Sequence, residues 1–208
     1  MSFVGLFLSG AVLFLNSFML LGKAEAKSVG IFNIFVGTIQ IVIPFYLLFH
    51  SSQSNWEHYQ IAAIFLFGLT YLYVGATLLK NLEGNGLGWF CLWVAIVAAV
   101  YTITAILHFH DAVSALTWGM WAFLWLLFFL ANTLKMKIEN YIGFVAFVQS
   151  WVTLTIPALL YFLGVWNSPV VKQVWTSVLI LSILSFVVGL FREFSLKRKH
   201  SGKELNAI

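Results

Sequence analysis

Along the chain, apolar stretches about a helix-span long recur with only a few polar residues between them. They cover roughly 3–22, 29–49, 60–79, 87–107, 113–134, 141–165 and 171–191. A helix needs about 20 apolar residues to cross a hydrocarbon layer ~30 Å thick, and it satisfies its own backbone polar groups where no water can. The pattern predicts an all-α membrane protein with seven transmembrane helices. The connections leave no room for a soluble catalytic or nucleotide-binding module. The domain reading is a six-helix bundle over 1–165, an additional transmembrane helix over 166–193 and a basic cytoplasmic tail, SLKRKHSGKELNAI, over 194–208.

Composition agrees, since 62% apolar and 9% charged residues cannot cover a core with a water-soluble surface. Charge adds orientation. Lys23, Lys27, Lys80, Lys135, Lys137, Arg192, Lys197, Arg198, Lys199 and Lys203 fall at one set of helix ends, and only Lys172 falls at the other. Basic residues favour the cytoplasmic side, so the amino terminus is expected outside and the carboxyl terminus inside. The net charge of +4 then serves orientation and contact with anionic lipid rather than nucleic acid. The first run starts at Phe3 without a basic n-region or a small-residue cleavage site, which reads as a retained helix. Cys91 is the single cysteine, so no intrachain disulfide can form.

The lysine-bearing turns repeat. Lys23, Glu25 and Gly30 are followed by Lys80, Glu83 and Gly88, then by Lys135, Glu139 and Gly143. Fourteen residues beyond each Gly stand Pro44, Thr102 and Pro157. Either three helical hairpins are repeated about an axis along the membrane normal, with a pore between them, or short positive-inside turns simply look alike. The seventh helix lacks the pattern and reads as an addition outside the repeat.

All seven acids (Glu25, Glu57, Glu83, Asp111, Glu139, Glu193 and Glu204) fall in turns, loops, helix ends or the tail, and no Lys or Arg sits mid-span. Coupled transporters and pumps generally carry ionisable groups at depth, and cation channels need charge rings or carbonyl filters. The spans instead mix neutral polar residues, among them Asn16 and Gln149, with aromatics. That suits a small, neutral, hydrogen-bonding solute. HFHD at 108–111 has metal-ligand residue types but no further ligand to complete a site. Neither H-E-x-x-H, a Walker loop nor a nucleophile elbow is present, so an enzyme is not expected and no cofactor is called for.

SALTWGMWAFLWLLFFLAN places Trp118, Trp121 and Trp125 on one helical face, the outer two about 10 Å apart along the axis. By spacing alone the stripe is equally a packed helix surface or the wall of a path. NSFMLLGKAEAKSVGIFNIFVG (16–37), FGLTYLY (67–73), TWGMWAFLWL (117–126) and FVQSWVTLTIPALL (147–160) together resemble the bacterial urea and short-chain amide channels of the AmiS/UreI family. The resemblance runs through the first six helices. It implies a six-helix protomer with its own pore, six protomers in a ring, and passive passage of urea or small amides across a bacterial cell membrane. The alternative is a proton- or sodium-coupled transporter of small amides.

The resemblance further implies pore-lining aromatics at Tyr73, Trp118, Trp121 and Trp125, and an apolar constriction at Leu13 and Leu124. Asn16 and Gln149 join the substrate path as neutral polar groups. The chain departs from the family in having Leu69 where an aromatic is expected, Ser114 where a further Trp is expected, and Gln149 where an acid is expected. His50, His58, His108 and His110 map to the outer side beside Glu57 and Asp111, a candidate pH-sensing set. The short outer loops and Gln149 point to a channel open at neutral pH with at most a modest response to external acid.

Overall fold

The computed structural model describes residues 3–205, with side chains through residue 193. Seven helices long and apolar enough to cross a membrane follow one another: α1 (Phe3–Leu20), α2 (Ala26–Phe49), α3 (Asn55–Lys80), α4 (Asn85–Leu107), α5 (Ala112–Asn132), α6 (Glu139–Phe162) and α7 (Pro169–Leu205). The termini of these helices are set by local chemistry. Ser54 Oγ accepts from Glu57 N at 3.3 Å and starts α3 at Asn55, five residues before the apolar run. Asp111 Oδ1 accepts from Ser114 N at 3.0 Å and starts α5. These caps satisfy amides that the first turn leaves without partners.

Each of the first six helices exits through a left-handed residue. Gly22, Asn81 and Lys135 do so at the end carrying the lysines, and Gln53, His110 and Gly164 at the opposite end, which carries the histidines. Positive φ turns the chain sharply out of a helix, so the connections stay short and successive helices are antiparallel.

The repeat is visible in the packing. The tightest pairs are α2 with α3, α4 with α5, and α1 with α6, rather than the helices joined by the lysine-bearing turns. The repeated glycine makes each contact close. Gly30 brings α2 onto Gly75 and Leu78 of α3, Gly88 brings α4 onto Asn132 and Thr133 of α5, and Gly143 brings α6 onto Leu20 and Leu21 of α1. Each hairpin therefore leans on the next and the third closes on the first. Small residues let helices approach within lipid, where van der Waals contact rather than the hydrophobic effect drives association.

Residues Ser150–Thr155 within α6 are π-helical, and Pro157 follows them. Proline has no N–H for the carbonyl four residues earlier, and the widened turn accommodates the break. The additional helix α7 packs on α5 and α6. Tyr141 Oη donates to Phe186 O at 2.8 Å, and Trp175 Nε1 donates to Val152 O at 3.0 Å, inside the π-helical stretch. The helix runs on through most of the segment read as a tail. Residues 206–208 of that segment lie outside the described residues.

Candidate functional site

Two cavities lie between the helices, one toward each end of the bundle. One, of about 190 Å³, opens toward the lysine end and includes Leu13, Asn16, Leu124 and Trp125 in its wall. The other, of about 430 Å³, opens toward the histidine end and includes Tyr59, Tyr101, Trp118 and Thr153. Trp121 is the single residue common to both walls.

The three tryptophans of the α5 stripe border these cavities. Phe67 of α3 meets all three indoles, with ring centroids 6.3 Å from Trp118, 4.9 Å from Trp121 and 5.0 Å from Trp125. Trp118 stacks on Tyr101 at 4.3 Å and meets Trp121 edge-on at 4.8 Å. Edge-to-face and offset arrangements of this kind are the favoured geometries of aromatic pairs. They form an aromatic cluster around Trp121, where the two cavity walls meet.

Hydrogen bonding divides the stripe. Trp121 Nε1 donates to Thr153 Oγ1 at 2.9 Å, and that hydroxyl donates in turn to Gln149 O at 2.7 Å. Trp118 borders the histidine-end cavity and Trp125 the lysine-end one, and neither Nε1–H donates to a protein acceptor among the described residues. The Thr77 hydroxyl, in the wall of the lysine-end cavity, likewise has no partner. Asn16 is already paired, since its amide and that of Asn33 donate reciprocally at 3.2 and 2.7 Å.

Of the residues singled out in the sequence, Leu13, Asn16, Trp118, Trp121, Leu124 and Trp125 border one or both cavities. Leu69, Tyr73 and Gln149 border neither cavity. Leu69 is 46% exposed and Tyr73 36% exposed on the outward side of α3, where Tyr73 meets Phe90. Gln149 is fully buried between helices: its amide donates to Met120 O at 2.8 Å, while Oε1 is unpartnered. Phe67, Tyr71 and Thr77 occupy the inner face of α3 instead. The spacing of Phe67, Tyr71, Val74 and Leu78 at i, i+4, i+7 and i+11 carries that phase. Leu69 and Tyr73 each stand two residues out of step with it, roughly 200° around the helix.

Charge is confined to the two mouths. Glu139 borders the lysine-end cavity, and Asp111 and Lys172 border the other. Ser114 reaches the histidine-end cavity beside Asp111, whose Oδ2 accepts from Ser114 Oγ at 2.9 Å. His50, His58, His108 and His110 are absent from both walls.

Seven helices long and apolar enough to span a membrane, six of them closed into a ring of repeated hairpins, define a multi-pass membrane protein. Residues 1–165 match the family described as AmiS/UreI family transporter, and the chain belongs to that family. It is 38% identical to a Rhodococcus erythropolis protein assigned as transporter protein AmiS2, over 87% of this chain and 89% of that one. It is 28% identical to the acid-activated urea channel of Helicobacter pylori, over 76% of this chain and 95% of the other. The crystal structure of the Helicobacter pylori urea channel superposes with a TM-score of 0.72 at 29% identity, covering 80% of this chain and 99% of that one. The family comprises transporters and channels, and this chain is one of them rather than an enzyme.

Proposed function

We propose that the protein is a passive channel for urea and small neutral amides, with one path through each protomer. The observation that carries this reading is the uncharged aromatic neck flanked by the free Nε1–H groups of Trp118 and Trp125. A flat, dipolar amide must exchange hydrogen bonds with water for others without being held tightly. An indole face offers a slot of matching shape, and its N–H donates to a carbonyl oxygen. The partition at Trp121, whose own N–H is taken by Thr153, contributes shape rather than a binding group. Leu13 and Leu124 add apolar wall that a hydrated ion cannot replace its water against.

Orientation and assembly belong to the same reading. The lysine end faces the cytoplasm by the positive-inside bias, and six protomers form a ring, as the family resemblance implies. Outward-facing Leu69 and Tyr73 are available for protomer contacts or lipid. Stopped-flow swelling of proteoliposomes tests the transport reading. Urea flux should rise linearly with concentration and need no ion gradient; flux that requires a proton or sodium gradient overturns it. Native mass spectrometry finding a monomer or trimer would reject the ring.

A further inference from the structure

The family match ends at residue 165, but the wall of the histidine-end cavity does not. Trp166 and Lys172, from the connection into α7 and its first turn, complete that wall. Both are held in place. The amides of Val165 and Trp166 donate to the same Leu160 carbonyl, at 3.0 and 3.2 Å. The Trp166 ring is buried edge-to-face against Trp175, with centroids 6.0 Å apart at 70°. Trp175 is in turn fastened to the π-helical stretch of α6 through Val152 O. The seventh helix is thus keyed into the bundle at the level of the cavity.

Lys172 Nζ lies 4.7 Å from the centroid of Trp166. A cation over an indole face is attracted to it, and this contact fixes where the half-buried side chain presents its charge. No other Lys or Arg in the sequence falls at the histidine end. Asp111 borders the same cavity, but its two oxygens accept from Ser114 N and Oγ. The ammonium and the carboxylate are therefore engaged by separate partners, Trp166 and Ser114.

An ammonium group is a donor without acceptor capacity. In a recess walled by aromatic rings its field is less screened than in bulk water. It favours solutes whose strongest feature is a carbonyl oxygen, is less selective toward plain hydroxyl compounds, and repels small cations of similar size. We infer that Lys172, seated on Trp166, is a specificity-determining residue of the outer entrance and selects carbonyl-bearing neutral solutes. The segment beyond the six-helix core is then part of the permeation path. This inference rests on the channel reading.

The test uses the full chain in proteoliposomes, comparing urea and acetamide with ethylene glycol in the parent, Lys172→Met and Lys172→Arg. Removing one charge-assisted donor should lower urea and acetamide permeability about fivefold in Lys172→Met and leave ethylene glycol unchanged, with Lys172→Arg close to the parent. Unchanged urea permeability in Lys172→Met overturns the inference alone. So does an equal fall for all three solutes, which indicates general damage, or a failure of Lys172→Arg to rescue. A parent that does not raise urea permeability overturns the channel reading and this inference with it.

Discussion

Trp121 and Thr153 are joined across α5 and α6 by a 2.9 Å hydrogen bond, and the indole it fixes is the partition between the two cavities. One turn earlier on α6, Gln149 Nε2 donates to Met120 O, so α6 grips two successive residues of α5 at the neck. Thr153→Val keeps the volume but removes the acceptor. A buried indole N–H left unpaired costs about 1–3 kcal/mol, and the freed ring no longer defines the bore. We expect a lower thermal midpoint in detergent and a smaller preference for urea over propionamide in liposome swelling. Thr153→Ser should restore both. A Thr153→Val protein with the parent's solute ratio would show that the bond is only packing.

The two tyrosines of α3 should separate under mutation. Tyr71 is buried, lines the lysine-end cavity and approaches Ser9 O at 3.5 Å, whereas Tyr73 faces outward. Tyr73→Ala should therefore leave urea flux per assembled protein within about twofold of the parent. Trp125→Phe, which keeps an aromatic ring but removes a free donor, should lower flux severalfold. Stopped-flow rates normalised to protein content decide. Equal losses in both variants would put Tyr73 back on the path.

The number of spans, their order and the charge-free interior are legible in the sequence because lipid imposes them on composition alone. The faces of the helices are harder to read. Both lipid and protein are apolar neighbours, so no polar stripe marks the outward side of α3, and Tyr73 resembles Tyr71 chemically. That the tryptophans of α5 share one face is legible from their helical spacing, but whether that face is packed or lines a path is not. The repeated glycines were visible as a pattern, but their function was not. Which helix each one contacts depends on ring closure, with α6 returning to α1. The π-helical turn has only Pro157 as a local sign, and the role of Gln149 as a tie between helices has none.

Close helix approach predicts a contrast between two glycines. A Cβ at Gly37 would lie 2.9 Å from the backbone nitrogen of Leu72 and 3.1 Å from Gly68 O, so α2 and α3 must separate to admit it. At Gly119 the nearest atoms, on Thr102, are 3.9 Å away. Gly37→Ala should cost about 1–3 kcal/mol, as overpacking does elsewhere, while Gly119→Ala should be neutral or slightly stabilising through helix propensity. Thermal unfolding followed by size-exclusion chromatography measures both. Indistinguishable midpoints would mean that the α2–α3 contact relaxes more easily than its geometry implies.

External pH should have little effect on permeation. Three of the four histidines that mark the histidine end have partners of their own: His50 Nδ1 lies 2.9 Å from Tyr46 O, His58 Nε2 lies 3.0 Å from Gln53 Oε1, and His108 stacks on Trp56 at 3.9 Å. His110 sits in the left-handed turn after α4, and none of the four borders either cavity. Protonation therefore adds charge to the rim and not to the neck. It would need to move α3, α4 or α5 to change the bore, and the outer connections are too short to do so without disturbing the Ser54 and Asp111 caps. Gln149, neutral at every working pH, cannot relay the change as a carboxylate would. We expect urea permeability at about pH 5.0 outside to stay within about threefold of its value at about pH 7.5. An acid-induced rise of about tenfold, abolished when all four histidines are replaced, would instead make the outer loops a gate.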